Sequence, residues 1–233
     1  MLTLSIWPLE LEWKYMPEKV EFKTADGVSI RASHWQGEKG SPAILLLHMM
    51  PADRSSWDGF AVKLYDSGFG ALAIDLRGHG ESEGGPDGFR DFSDEAHQKS
   101  IEDVRAAIAF QVAEGHSKFF IAGASIGANL AFEYMAESER ISGAVLLSAG
   151  LNYRGIETLP LAEKVRPEQG VFIAAAKDDV RSGGAAAEMA EEIFRASAGK
   201  KEIKILEYGG HGTDMFRMHP ELMDEIIAWL RKF

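Results

Sequence analysis

Short apolar runs alternate with amphipathic helical patterns along most of this 233-residue chain, and this alternation limits the folds open to it. Each run has the length and composition of a strand buried on both faces of a sheet. The predicted strands are Ala43–Leu47, Gly70–Ile74, Phe119–Ala122, Ala144–Leu147, Val171–Ala176 and Ile203–Leu206. The predicted helices are Ser56–Ser67, Asp94–Glu114, Gly127–Ser138, Gly184–Ala198 and Pro220–Lys232. This repetition predicts crossover units and an α/β fold, with a mostly parallel central sheet and helices on both faces.

The N-terminal part of the chain shows a different pattern. Two strands, Val20–Thr24 and Val28–Trp35, are joined by a turn containing Asp26-Gly27, a pair typical of β-hairpins. We therefore expect an antiparallel N-terminal edge on a single domain of residues 18–233. Residues 1–17 form an N-terminal extension that is apolar but lacks a basic region, so it fits neither a signal peptide nor a membrane span. It is expected to lie on the domain or on a partner subunit, which leaves a homodimer open.

Composition excludes several classes of function. The formal net charge of −11 argues against nucleic-acid binding, which depends largely on basic residues that displace counterions. The absence of cysteine excludes a thiolate nucleophile, a thiolate metal site and a disulfide framework. The histidines show neither an H-E-x-x-H motif nor close ligand spacing, so we expect no metal and no other cofactor. With no membrane segment expected, the cytoplasm is the default location.

One apolar strand leads directly into a serine flanked by glycines, in the pattern G-x-S-x-G formed by Gly123, Ser125 and Gly127. A serine hydroxyl is a poor nucleophile at neutral pH. On a tight strand-to-helix turn, a base can take its proton and backbone N–H groups can stabilise an oxyanion. The glycines leave room for such a turn, and the positive end of the following helix favours negative charge there. Ser125 is therefore the predicted nucleophile.

The loops after two later strands carry an acid and a base. Because the carboxyl ends of parallel strands meet at one edge of a sheet, these loops are expected to lie near Ser125. His211, between glycines, can accept the serine proton and return it to a leaving group. A carboxylate would orient its ring and stabilise the imidazolium. We favour Asp179 over Asp178 for this role, because the second aspartate is placed where the turn faces the histidine loop. Asp178 would then be a solvated turn residue.

The G-x-S-x-G turn, known as a nucleophile elbow, is followed along the chain by the acid and then the histidine, and in this the chain resembles the α/β-hydrolase superfamily from about residue 20 onward. It is most similar to small members without a cap, such as dienelactone-hydrolase-like and carboxylesterase-like proteins. The segment Asp75-Leu76-Arg77-Gly78-His79-Gly80-Glu81-Ser82 is similar to a D-x-R-G-x-G-x-S turn found in many of them. The resemblance implies the α/β-hydrolase fold and a structural role for this turn. Residues 149–170 are too few for a large cap domain.

The resemblance also implies an oxyanion hole formed by the backbone N–H groups of Met50 and Ile126. The Met50 amide belongs to the loop after the strand Ala43–Leu47. Members of the superfamily commonly have His-Gly at the start of this loop, where this chain has His48-Met49. Methionine does not reach positive φ as cheaply as glycine, so we expect a loop of different shape. His48 is expected to hold the loop by hydrogen bonds.

Apolar side chains in or beside the site loops predict a pocket for an acyl group. The predicted substrate-binding residues are Met49, Trp57, Tyr153 and Met215, and Arg154 or Arg181 could contact a charged group. The predicted function is a serine hydrolase that cleaves short or medium acyl esters or thioesters through an acyl-enzyme on Ser125. Its partners would be a small-molecule acyl substrate and water.

Other functions on this fold stay open, because a fold does not determine a function. The chain could be a non-hydrolytic ligand-binding protein. The same three side chains could also serve a lyase, a carbon–carbon bond hydrolase or a perhydrolase.

Overall fold

A single eight-stranded sheet organises the protein in a computed structural model that describes residues 16–181 and 183–233. The strands are β1 (Glu18–Lys23), β2 (Ser29–Trp35), β3 (Pro42–Leu47), β4 (Gly70–Ile74), β5 (Lys118–Ala124), β6 (Ile141–Leu147), β7 (Asn152–Tyr153), β8 (Ile156–Glu157), β9 (Gly170–Ala176), β10 (Val180–Arg181), β11 (Gly184–Ala185) and β12 (Lys200–Leu206). The order in the main sheet is β1-β2-β4-β3-β5-β6-β9-β12. The four two-residue strands form two separate hairpins, β7 with β8 and β10 with β11.

Eight α-helices connect or flank the strands of the described chain. They are α1 (Asp58–Asp66), α2 (Asp94–Gln98), α3 (Ile101–Ala113), α4 (Ile126–Glu137), α5 (Thr158–Ala162), α6 (Ala186–Ala196), α7 (Asp214–Met218) and α8 (Glu221–Leu230). Short 3₁₀ helices cover Arg54–Trp57 and Gly88–Asp91. The helix predicted over Asp94–Glu114 is thus two helices, separated by a turn at Lys99 and Ser100.

Strand directions follow the predicted pattern. β2 runs antiparallel to both β1 and β4, while β4, β3, β5, β6, β9 and β12 pair in parallel. The register places Leu47 opposite Gly123 and Ala124 opposite Leu147, so the carboxyl ends of the central strands lie side by side. The α/β-hydrolase fold with an antiparallel N-terminal edge is confirmed. Between β6 and β9 the chain forms only the β7–β8 hairpin and the short α5, so no large cap is present there.

Two apolar cores, one on each face of the sheet, hold the helices in place. Alternate residues of each strand point to opposite faces. In β3, Leu45 and Leu47 belong to the core that includes α3, α4 and α6. Ile44 and Leu46 belong to the other core, which includes α1 and α8. Burial on both faces explains why these strands read as continuous apolar runs.

The predicted N-terminal extension falls almost wholly outside the described residues, which begin at Met16. In the described part of the chain, no helix has the length and apolar character needed to cross a membrane.

Candidate active site

Ser125 lies on a strained turn between β5 and α4. Its backbone has φ 55° and ψ −119°, a conformation that non-glycine residues rarely adopt. The two flanking glycines are required by close backbone contacts. A Cβ atom at Gly123 would lie 2.0 Å from the Gly127 carbonyl oxygen, and one at Gly127 would lie 2.4 Å from the Leu47 oxygen. The turn leaves Ser125 half-buried at the N-terminus of α4.

The predicted acid and base are in contact. The Asp179 Oδ2 atom lies 2.7 Å from His211 Nδ1, and both residues are buried, each with 4% of its surface exposed. Burial alone would raise the pKa of Asp179, but hydrogen bonding with His211, together with the neighbouring Ser148 and Arg181, lowers it below the usual value. Asp179 is therefore an anion that orients the histidine ring, with Nδ1 facing the carboxylate and Nε2 left for another partner.

Asp178 has a different role from its neighbour. It is exposed, and its carboxylate accepts hydrogen bonds from the backbone N–H groups of Gly209 and Gly210, at 3.0 and 3.1 Å from Oδ1. The preference for Asp179 over Asp178 at the histidine agrees with this geometry. Asp178 is more than the solvated turn residue predicted from sequence, because it fastens the loop that carries His211.

Ser148 is a buried residue that sequence analysis missed. It follows β6 with φ 50°, it is fully buried, and its Oγ accepts a hydrogen bond of 2.9 Å from the Gly212 N–H. The same hydroxyl contributes to the lowered pKa of Asp179. Ser148 thereby connects the acid with the loop of the base. The only sequence signal for it was its position directly after a buried strand.

The loop after β3 is held by His48, as predicted. His48 is fully buried, with Nδ1 at 2.9 Å from the Met49 carbonyl oxygen and Nε2 at 3.0 Å from the Leu76 N–H. Burial lowers its pKa to about 3, so the ring is neutral and donates from Nδ1. Neither the Met50 nor the Ile126 amide donates a hydrogen bond to another described residue. Both residues line the cleft that also contains Ser125.

The turn over residues 75–82 is structural, as the sequence predicted. Asp75 is fully buried and accepts hydrogen bonds from the backbone amides of Arg54 and Glu81, both at 2.8 Å. Arg77 donates to Asp103 at 2.9 Å and to Asp26 at 2.7 Å. The buried pair with Asp103 joins the turn to α3, and the pair with the exposed Asp26 joins it to the turn between β1 and β2.

A cleft of about 310 Å³ joins the predicted site residues. Its lining consists of Met50, Ser125, Ile126, Tyr153, Arg154, Arg181, Gly183 and His211. Tyr153 is half-buried, and its ring packs against the Cα of Gly150 so closely that a Cβ there would lie 2.6 Å from the ring. Burial raises the pKa of the Tyr153 hydroxyl, with Asp179 adding to this and the nearby Arg181 and Ser125 acting against it. Tyr153 therefore presents a protonated hydroxyl beside the serine.

Two predicted substrate-binding residues, Trp57 and Met215, lie in the core and not in the cleft, which corrects the sequence-based assignment, while Met49 stays a prediction. Trp57 and Met215 are fully buried in the core shared with α1 and α8, where Trp57 packs against Phe60 and Phe216. Met49 packs partly against the same core, with its sulfur next to Gly212. The cause is burial: a loop position near a strand end can point inward as readily as into the cleft. Of the four residues, Tyr153 lines the cleft.

Within residues 16–181 and 183–233, no three histidine or acidic side chains are grouped in a way that could hold a metal ion. The groups that converge on the cleft are a serine hydroxyl, an imidazole supported by a carboxylate, a tyrosine hydroxyl, two guanidinium groups and two backbone amides. Such a set can transfer an acyl group through a serine ester.

The sequence model of the α/β hydrolase fold family matches residues 42–203. A thiohydrolase of Aspergillus aculeatus is 34% identical over 93 residues, which cover 40% of this chain and 28% of that protein. A 2-succinyl-6-hydroxy-2,4-cyclohexadiene-1-carboxylate synthase of Salmonella typhimurium is 28% identical over 141 residues, which cover 60% of this chain and 48% of that protein. The chain thus spans less than half the length of these curated relatives.

Solved structures of two esterases have the same fold. An esterase of Pyrococcus furiosus superimposes with a TM-score of 0.78 at 17% sequence identity, over 100% of this chain and 96% of that chain. An esterase of Exiguobacterium antarcticum superimposes with a TM-score of 0.73 at 14% identity, over 92% of this chain and all of that chain. At such identities the likeness establishes the fold alone.

Proposed function

The chain belongs to the α/β-hydrolase fold family, and from that premise we propose that it is a serine hydrolase acting on short or medium acyl esters or thioesters. The nucleophile would be Ser125, the base His211 and the acid Asp179. Esterases among the similar structures and a thiohydrolase among the relatives support a hydrolase.

One observation carries the proposal: His211 has its Nδ1 at 2.7 Å from Asp179, and the same histidine lines one cleft with Ser125. Because Nδ1 faces the carboxylate, Nε2 is the ring nitrogen left to take a proton from the serine hydroxyl. A buried carboxylate beside the ring stabilises the imidazolium that this transfer creates.

In the first half of the reaction, His211 Nε2 takes the proton from Ser125 as Oγ forms a bond to the carbonyl carbon. The carbonyl electron pair moves to oxygen, and the amides of Met50 and Ile126 donate hydrogen bonds to the resulting oxyanion. When the oxyanion collapses, the bond to the leaving group breaks. The departing alkoxide or thiolate receives the proton from His211, and the acyl group stays on Ser125.

In the second half, water replaces the leaving group. His211 takes one proton from water while its oxygen bonds to the acyl carbon, and the second oxyanion collapses with cleavage of the bond to Ser125. The serine oxygen recovers the proton from His211. The net reaction consumes one ester or thioester and one water and yields one carboxylic acid and one alcohol or thiol.

The size of the cleft supports a short or medium acyl group. A volume of about 310 Å³ lies at the low end of the usual range for small-molecule sites, about 300–1,000 Å³. Between β6 and β9 the described chain forms a hairpin and a short helix and no cap domain, so access to the cleft is open.

The test is labelling by a fluorophosphonate probe together with hydrolysis of p-nitrophenyl acetate. We expect the unmodified chain to be labelled and to turn over the ester, and Ser125→Ala to lose both. Ser117→Ala is the matched control. Ser117 is an exposed serine just before the first residue of β5, whereas Ser125 comes just after the last. Undiminished turnover by Ser125→Ala would remove Ser125 from the mechanism. A chain that resists the probe and every ester but binds an acyl ligand would instead be a ligand-binding protein.

A further inference from the structure

Two arginine side chains line the cleft beside Ser125, in a chain whose formal net charge is −11. They are Arg154, at the turn of the β7–β8 hairpin, and Arg181, at the end of β10. No carboxylate is among the described residues that line the cleft. Arg181 supports Asp179, but the mechanism above gives neither guanidinium a contact with the substrate.

The backbone of Arg154 is firmly held while its guanidinium is accessible. The residue has φ 54°, and its carbonyl oxygen accepts a hydrogen bond of 2.9 Å from Gln98 Nε2. The next residue, Gly155, donates to Asn152 Oδ1 at 2.9 Å, which closes the hairpin turn. The guanidinium makes a long contact of 3.4 Å with Asp94, and 48% of the side chain is exposed. A surface pair of this kind is weak enough for a ligand to compete with it.

Arg181 is directed by the catalytic acid itself. Its Nε donates to Asp179 Oδ1 at 3.0 Å, on the carboxylate oxygen that does not face His211. A guanidinium has five N–H donors, so this contact uses one and leaves the terminal nitrogens for another acceptor. With 56% of the side chain exposed, these nitrogens are open to the cleft and to solvent.

We propose that Arg154 and Arg181 form a carboxylate subsite, so that the preferred substrate is an ester or thioester whose acyl chain ends in a carboxylate. Guanidinium groups bind carboxylates with paired hydrogen bonds, and a local positive potential in an acidic protein draws anions to that place. This proposal rests on the proposed serine hydrolase function and adds the chemical class of the substrate.

The test compares two thioesters of N-acetylcysteamine that differ in one charge, the glutaryl thioester and its monomethyl ester. We expect kcat/KM to be at least about tenfold higher for the glutaryl thioester, as one charge-assisted contact predicts. This ratio should fall toward one in Arg154→Gln and in Arg181→Gln, and it should decrease as salt is added. Arg181 also contacts Asp179, so Arg181→Gln could slow the hydrolysis of both thioesters. Such a loss cancels in the ratio of the two kcat/KM values, and for this reason the ratio is the readout for this variant.

Arg105→Gln is the matched control. Arg105 is also a partly exposed arginine in ion pairs, with Glu102 and Glu137, but it lies on α3 outside the lining of the cleft. It should leave the ratio unchanged. Equal kcat/KM values for the two thioesters in the unmodified chain would overturn the subsite.

A second pair of substrates tests which side of the scissile bond carries the charge. S-acetyl-3-mercaptopropionate has its carboxylate on the leaving group, and its methyl ester is the neutral counterpart. We expect no preference between them. A preference here, with none for the glutaryl thioester, would overturn the assignment to the acyl chain.

Binding to Ser125→Ala separates failure of the subsite from failure of the proposed function. Glutarate should bind this variant by calorimetry at low salt, and Arg154→Gln in the same background should weaken binding by about tenfold. Glutarate binding without turnover of any ester would contradict the serine hydrolase function but support the carboxylate subsite. Turnover of neutral esters without glutarate binding would contradict the carboxylate subsite and leave the hydrolase function intact.

Discussion

At the residue scale, two adjacent aspartates with different partners offer a direct comparison. Asp179 contacts the ring of His211, whereas Asp178 accepts hydrogen bonds from the backbone of the same loop. We expect Asp179→Asn to lower kcat for p-nitrophenyl acetate by about 10²–10⁴, because an amide cannot stabilise the imidazolium. Asp178→Asn should lower kcat by less than about tenfold, since an amide oxygen still accepts a hydrogen bond. A larger loss for Asp178→Asn would reverse the assignment.

His48 makes the stability of the fold depend on pH. In the folded chain its pKa is lowered to about 3 by burial, so the ring is neutral, whereas in the unfolded chain the ordinary value of about 6.5 applies. As pH falls below the unfolded value, the unfolded chain binds a proton that the folded chain does not. The free energy of unfolding then falls by up to about 1.4 kcal/mol per pH unit from this group, until the folded pKa is reached.

We therefore expect His48→Gln to reduce the pH dependence of stability. Its urea unfolding curves between about pH 6 and pH 4 should give a slope smaller by about 1.4 kcal/mol per pH unit, because one titrating group has been removed. At pH 8 the variant should be less stable than the unmodified chain, since a glutamine does not reproduce both hydrogen bonds of the ring. An unchanged slope would mean that His48 is protonated in the folded chain.

Some site residues could be predicted at this scale because chemistry restricts them to few residue types. A serine between glycines directly after an apolar strand is a distinctive pattern, and a carboxylate just after β9 lies at the same sheet edge as the histidine loop. Trp57 and Met215 could not be placed correctly, because an apolar side chain near a strand end suits the core and the cleft equally well. Ser148 was missed because a lone serine after a strand carries no distinctive pattern.

At the element scale, the turn between β5 and α4 depends on glycine for space. A Cβ at Gly127 would lie 2.4 Å from the Leu47 oxygen and 2.7 Å from the His48 oxygen, and backbone atoms cannot move aside cheaply. We expect Gly127→Ala to lower the free energy of unfolding by about 1–3 kcal/mol or more, as overpacking does, and to reduce activity by shifting Ser125. Chemical unfolding measures the loss of stability, and the rate of ester hydrolysis by the folded variant measures the loss of activity.

Gly59 provides the matched control for this substitution. It lies in α1 with no heavy atom within 4 Å of the place where a Cβ would stand. Gly59→Ala should stabilise the protein by about 0.4–1 kcal/mol, because alanine favours a helix and restricts the unfolded chain. If both variants were equally stable, close packing at the elbow would not be the reason for its glycines.

Long elements were predictable, and short ones were not. The buried parallel strands appear as apolar runs because both faces are covered, and the main helices have clear periodicity. The hairpins β7–β8 and β10–β11 consist of two-residue strands, which are too short to show any alternation. They nevertheless carry Tyr153, Arg154 and Arg181, so the part of the cleft that bears on substrate choice was the least predictable.

At the scale of the whole molecule, the sheet separates two cores that have different relations to the site. The core with α1 and α8 contains Trp57, whose indole packs against Phe60 and Phe216. We expect Trp57→Ala to lower the free energy of unfolding by about 3–5 kcal/mol, because it creates a large cavity. KM for p-nitrophenyl acetate at low temperature should stay unchanged, since Trp57 does not line the cleft.

Trp57→Phe is the conservative counterpart. The indole Nε1 is buried without a hydrogen-bond partner among the described residues, so phenylalanine removes an unpaired donor while it keeps most ring contacts. It should cost much less stability than alanine. A marked rise in KM with Trp57→Phe would restore Trp57 to the substrate-binding residues.

The parallel direction of the central strands and the gathering of the site loops at one sheet edge followed from the alternation of runs, because crossover connections place successive strands in parallel. The homodimer, the cytoplasmic location and the role of residues 1–17 stay predictions from sequence. They concern surfaces and segments that hydrophobic patterning inside a domain does not determine.

The most direct measurement is the mass of the protein during turnover. An ester in excess, quenched with acid within the first turnovers and digested, should yield a peptide containing Ser125 whose mass is increased by that of one acyl group. The modification should disappear in Ser125→Ala and decay once substrate is exhausted. Continued ester hydrolysis with no acyl group on Ser125, or with the acyl group on another residue, would contradict the account.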